Sequence, residues 1–142
     1  MKKLKVFVDT DIILDVLLER DVFFEYGASI FEMSEKGKIE LYASVLSISN
    51  ISYIIRKEIK NVKKVKEYIK DLMDIVRTVS VNEGTIRKAL ETDFSDIEDS
   101  IQYTAAKESG MDCLVTRNVK DYKTSTLKVY GSKEFTEKYQ AI

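Results

Sequence analysis

Histidine is absent from this sequence, and with it go a His-based zinc site, a Ser-His-Asp triad and an imidazole general base. Any bound metal must then be held by oxygen, which favours Mg²⁺ or Mn²⁺. The single cysteine, Cys113, cannot form an internal disulfide, as suits a reducing compartment. It sits in the apolar run Cys113-Leu114-Val115, the setting of a buried structural thiol rather than of a nucleophile with a base. Proline is also missing, which removes a common marker of turns and helix ends. Long hydrophobic runs are missing too. The first apolar stretch is short and broken by Asp9 and Asp11, so the expectation is neither a signal peptide nor a membrane span, and a cytoplasmic protein.

What is present suits one folded domain over residues 1–142, with 44% hydrophobic and 33% charged residues. Leu4 to Val8 reads as a strand ending at Asp9, after which the apolar spacing becomes helical, with Asp11 as the expected cap of a helix to about Glu19. A helix over Phe23 to about Lys36 stops at Gly37, and Ile39 to Ala43 forms a second strand. Ser47 opens a helix to about Ile59, on which Asn50 lies along a largely apolar side. Asn61 caps the next helix, with Val62, Val65, Ile69, Leu72 and Met73 at helical spacing. Further strands are expected at Ile75–Val79, Cys113–Thr116 and Leu127–Tyr130, and further helices at Glu83–Leu90, Asp96–Ser109 and, capped by Ser132, to Tyr139. Strands alternating with amphipathic helices require crossovers, and hence a three-layer α/β/α sandwich around a mainly parallel sheet of about five strands.

Net charge is only −1, but the charges are segregated. Between Arg56 and Lys70, seven basic residues face two acidic ones, whereas Asp93 to Asp99 holds four acids and no base. Arg56, Lys57, Lys63, Lys64 and Lys66, together with Arg117, are therefore candidates to attract a polyanion. A solvated helix face is the plainer reading of the lysines.

The acids converge in topology. Asp9 lies at the end of the first strand, Asp96 and Asp99 are three apart at a helix start, and Asp121 follows the fourth strand. Strand C-termini and the N-termini of following helices share one edge of a parallel sheet, where such folds place their chemistry. Gathered carboxylates repel one another unless a cation lies among them. One or two divalent ions would also activate water against phosphorus and neutralise phosphoryl oxygens. First-turn aspartates can instead simply cap helices.

At these residues the chain resembles the PIN-domain nucleases, in particular the compact VapC-like toxin type. The resemblance lies in Val6-Phe7-Val8-Asp9-Thr10-Asp11-Ile12-Ile13-Leu14-Asp15, in Asp96-Ile97-Glu98-Asp99-Ser100-Ile101-Gln102-Tyr103 and in Leu114-Val115-Thr116-Arg117-Asn118-Val119-Lys120-Asp121-Tyr122. It implies a sheet with the first strand central and Mg²⁺- or Mn²⁺-dependent RNA cleavage leaving a 5′-phosphate and a 3′-hydroxyl. It further implies Asp9 and Asp99 as metal ligands, Asp96 as an accessory acid, Asn118 or Asp121 as the acid after strand four, and Thr10 and Thr116 as ligand-orienting hydroxyls. Asp11 stands where the family often has Asn. A small antitoxin partner and a homodimer are implied as well. Two positions depart from the pattern: Asn50 stands where the family usually has Glu, and Asn118 where many members have Asp.

Other readings remain open from the residues. A nuclease-like domain that binds RNA or a partner without cleaving follows from the two asparagines. A haloacid-dehalogenase-like phosphatase would use Asp9 as nucleophile, although Asp96 and Asp99 open a helix rather than follow a strand. A receiver-like or purely structural α/β domain could bind Mg²⁺ at its acidic strand ends without hydrolysis.

Overall fold

A computed structural model describes residues 2–122 and 125–140. Five strands, β1 (Leu4–Val8), β2 (Ile39–Ser44), β3 (Val76–Val79), β4 (Cys113–Val115) and β5 (Lys128–Tyr130), form one sheet in the order β3-β2-β1-β4-β5. Every pairing in it is parallel, with Val6 opposite Leu41 and Val8 opposite Val115. The helices are α1 (Thr10–Leu17), α2 (Phe24–Glu35), α3 (Val45–Ile59), α4 (Val62–Ile75), α5 (Glu83–Ala89), α6 (Ile97–Glu108) and α7 (Ser132–Tyr139).

The alternation of β1 decides the layering. Val6 and Val8 enter a core with Ile12 and Ile13 of α1, Ile30 of α2, Ile51 of α3, Leu72 of α4 and Phe135 of α7. Phe7 points the other way, into a second core with Tyr103 and Ala106 of α6, Leu114 and Tyr122. The sandwich expected from the sequence is thus present and its sheet is wholly parallel. Cys113 is buried, and burial together with nearby Asp112 pushes its thiol up to about 12. Among the described residues no helix is long and apolar enough to cross a membrane.

Because β1 has β2 on one side and β4 on the other, the chain leaves it in opposite directions, and a crevice opens at the C-terminal ends of β1 and β4. Helix starts line this crevice, and three of the caps in the chain differ from expectation. Asp9, not Asp11, caps α1, because its own carboxylate accepts from the Thr10 N–H. Ser44 caps α3 by accepting from the Ser47 N–H, so the helix begins before Ser47. Gly131 holds the N-cap position of α7, placing Ser132 inside the helix. Asn61 caps α4 as expected.

Close packing of α1 on α2 depends on Gly27. A Cβ there would lie 2.7 Å from Cγ2 of Val16, a stiff β-branched side chain. Gly27→Ala should therefore destabilise the fold by about 1–3 kcal/mol despite its better helix propensity. Denaturant unfolding checks this; a stabilised variant would mean that the two helices separate freely.

Candidate active site

Asp9 directly follows the central strand and is only 7% exposed. Its Oδ1 accepts from the Thr10 N–H at 2.7 Å, and its Oδ2 accepts from the Thr116 hydroxyl at 2.9 Å and the Tyr122 hydroxyl at 3.2 Å. Burial raises its pKa and outweighs these three hydrogen bonds, which favour the ionised form, while Asp96 adds a further upward push. Thr116 thus fixes one oxygen of the Asp9 carboxylate.

Across the crevice, Asp96 caps α6, its Oδ1 accepting from the Asp99 N–H at 2.9 Å. Capping and proximity to Asp9 coexist in this residue, so the two readings of a first-turn aspartate do not compete here. Asp99 is half-buried, and its carboxyl is pushed up to about 7 by burial and then by the charges of Asp9, Asp96 and Asp121. A Tyr122 hydroxyl lies between the two central acids, 3.2 Å from Asp9 and 3.4 Å from Asp99. Burial, with those carboxylates, drives its own ionisation upward.

Tyr122 belongs to a 3₁₀ turn over Val119–Tyr122 that also carries the exposed Asp121. The sequence reading contained no such element. Its entry is fixed by the Asn118 N–H donating to Thr116 Oγ1 at 3.1 Å. Asn118 contributes that backbone bond and leaves its side chain exposed.

Two buried polar sets support the crevice. Thr10 Oγ1 lies 2.8 Å from Ser47 Oγ, and the Gln102 side-chain amide lies 2.6 Å from the same hydroxyl, tying α1, α3 and α6 together. Thr10 therefore orients α3 and α6 with its hydroxyl, and Asp9 with its backbone. Beneath, the fully buried Asp15 accepts from Arg117 Nε at 3.1 Å and from its terminal nitrogen, with Arg20 at 3.7 Å. Arg117 also stacks over Phe23, 4.0 Å from the ring centroid. The Arg117 guanidinium thus has partners in Asp15 and Phe23 that the sequence alone does not reveal. Asp11 lies half-buried nearby, its carboxyl raised to about 6 by burial and Asp9 against the opposing charge of Arg117. Its Oδ1 finds no hydrogen-bond partner among the described residues.

Asp96 bears electrostatically on Asp9, and Asp9, Asp96 and Asp121 all bear on Asp99. Asn50 is exposed rather than set along an apolar side, and its Nδ2 donates to Glu98 Oε1 at 3.4 Å. Glu98 is the acid that sequence reasoning passed over. Burial raises its pKa, and Asp9 and Asp96 raise it further. Position i+2 from Asp96 does not signal such a role; only the nearness of α3 reveals it. Arg56, Lys57, Lys63, Lys64 and Lys66 are all exposed on α3 and α4. There, Tyr53, Arg56, Val62, Val65 and Lys66 line an apolar groove with basic residues among its walls.

Among the described residues no three acidic side chains form a ready metal-ligand group. The donor chemistry nevertheless fits a hard divalent cation. The donors are carboxylate oxygens, the Asp9 and Asp99 carboxyls are raised partly by neighbouring negative charge, and Asp11 carries an unpartnered buried oxygen.

Comparison with known proteins bears on the family and the fold. The sequence profile of the PIN domain matches residues 5–120. Ribonuclease VapC1 of Aquifex aeolicus (strain VF5) is 29% identical over 147 residues, covering 100% of both chains. The structure of VapBC-1 from nontypeable Haemophilus influenzae superposes with TM-score 0.64 at 17% identity, over 92% of this chain and 99% of that one. A toxin-antitoxin complex from Klebsiella pneumoniae gives 0.61 at 15% identity, over 83% and 90%.

The raised carboxyls set a pH dependence. Asp99 has a folded pKa of about 7 against an ordinary aspartate near 3.8, so the folded chain keeps a proton that the unfolded chain releases in between. The contribution of Asp99 to stability is complete below the lower value and is lost as pH rises to about 7. Thermal melts in chelator should show this decline, and Asp99→Asn should flatten it. An identical pH slope in parent and variant would contradict the assignment.

Proposed function

This chain belongs to the PIN-domain family, and we propose that it is a metal-dependent ribonuclease acting as the toxin of a toxin-antitoxin pair. The observation that carries the reading is the buried Asp9 carboxylate at the end of the central strand, facing Asp96 and Asp99 at the start of α6. Asp9 and Asp99, with Asp96 and Asp121, would hold Mg²⁺ or Mn²⁺. That ion supplies Lewis-acid polarisation of the phosphoryl group and activation of water.

The chain's own groups then have defined tasks. Thr116 and Tyr122 fix the Asp9 oxygens, and the Asp96 cap fixes the first turn that presents Asp99. In the overall reaction water oxygen bonds to phosphorus and the bond from phosphorus to O3′ breaks. A proton passes to O3′, leaving a 5′-phosphate and a 3′-hydroxyl. Exposed Arg56, Lys57, Lys63, Lys64 and Lys66 would attract the RNA backbone.

The likeness to the Klebsiella toxin-antitoxin complex supports a small antitoxin as partner, and a homodimer is the accompanying expectation. A cytoplasmic location is part of the same proposal. A second reading, a silent RNA- or partner-binding domain, is favoured by the amide of Asn50 on α3 and by the absence of three ready-grouped acids among the described residues. Family membership displaces the phosphatase reading of Asp9.

Purified protein should cleave RNA with Mg²⁺ or Mn²⁺, stop with chelator, and lose cleavage in a folded Asp9→Asn variant. Equal cleavage by that variant would refute the site, and no cleavage by a folded, RNA-binding parent would establish the silent reading. Replacing Lys63, Lys64 and Lys66 together by Gln should weaken RNA binding and reduce the logarithmic salt slope by up to about 2. An unchanged slope would return these lysines to the role of solvated surface.

A further inference from the structure

The connection between α1 and α2 turns back on the segment that follows β4. Glu19 and Val22, with φ of 47° and 72°, hold the left-handed region that residues other than glycine rarely adopt, and Val22 is β-branched. Such strain persists only where the surroundings hold it in place. Here the turn brings Arg20 to 3.7 Å from Asp15 Oδ1 and ends at Phe23, whose ring centroid lies 4.0 Å from the Arg117 guanidinium. Asp15 is 1% exposed and accepts from both Nε and Nη2 of Arg117.

A guanidinium carries five N–H groups in one plane. Asp15 engages Nε and Nη2 of Arg117, Phe23 covers one face, and Nη1 has no hydrogen-bond partner among the described residues. Arg117 itself is exposed. Because Arg20 shares the Asp15 oxygen, two cations meet one buried carboxylate, and Asp15 does not consume the whole charge of Arg117. Arg117 directly follows Thr116, whose hydroxyl fixes Asp9, and its charge bears on Asp11. Those acids repel a phosphate that approaches Asp9 unless a cation stands beside them. Resting on the RNA-cleaving reading above, we propose that Arg117 is a pre-oriented phosphate-binding residue. Asp15 and Phe23 are the positioning residues that fix its plane, and its open Nη1 edge takes a phosphodiester oxygen of the RNA beside Asp9. Arginine suits this task because its planar fork can hold a carboxylate on one edge and a phosphate on another.

Binding of a short single-stranded RNA in chelator, followed by fluorescence anisotropy across a salt series, tests this without cleavage. Arg117→Gln should weaken binding and lower the logarithmic salt slope by about 0.7, the share of one phosphate contact. Arg117→Lys keeps the charge and should keep the slope, yet lose roughly 10-fold in affinity with the planar fork. Phe23→Leu removes no charge and stays apolar; it should weaken binding at an unchanged slope, with a melting temperature near that of the parent. Parent-like affinity in both Arg117 variants, beside weakened binding when Lys63, Lys64 and Lys66 are replaced, would overturn this inference and leave the RNA-cleaving reading standing. Affinity that falls only in step with the folded fraction would make Arg117 a structural ion pair and overturn it equally. Parent-like affinity in Phe23→Leu would overturn the positioning role of Phe23. No RNA binding by the folded parent would overturn the RNA-cleaving reading, and this inference with it.

Discussion

The structure depends on keeping one carboxylate, that of Asp9, buried at the end of the central strand among other acids. Burying an ion costs free energy unless hydrogen bonds or opposite charge offset it. Here three donors from three segments meet the two oxygens: the Thr10 N–H, the Thr116 hydroxyl and the Tyr122 hydroxyl. They do not cancel the cost, since the Asp9 carboxyl remains raised. Placing Asp96 and Asp99 opposite raises the cost again. This uncompensated repulsion is the observation that supports the proposed cation site.

The remainder of the molecule supports that arrangement. β1 is central, so Val6, Phe7 and Val8 are locked between two cores and Asp9 cannot drift. The Asp15 ion pair with Arg117 joins α1 to the segment after β4, the same segment that carries Asp121 and Tyr122. Gln102, Ser47 and Thr10 join the three helices whose first turns surround the crevice. Buried polar sets of this kind specify one geometry because each member has few other partners.

Much of this was legible in the sequence because it rests on period and on charge. The β1 alternation, the stripe of Val65, Ile69 and Leu72 on α4, and the three acidic stretches gave the sandwich and the principal aspartates. Caps were less legible: Asp9 and Asp11 are both good N-caps by type, and only the backbone shows that Asp9 is extended and accepts from Thr10. Three further features depended on distant neighbours. Arg117 looks like a lone cation until the buried Asp15 is seen beside it. Asn50 looks set along an apolar side until its bond to Glu98, 48 residues away, is seen. Tyr122 looks like a core aromatic, and its ring is one, yet its hydroxyl ends between two carboxylates.

Thermal unfolding at slightly alkaline pH, with Mg²⁺ or Mn²⁺ titrated against matched ionic strength, tests the central claim most directly. If the repelling carboxylates form a cation site, the melting temperature should rise with either ion, by the equivalent of about 2.7 kcal/mol at a hundredfold excess over the dissociation constant. Asp9→Asn should abolish most of that rise. An unchanged melting temperature for the folded parent at every concentration would contradict the account.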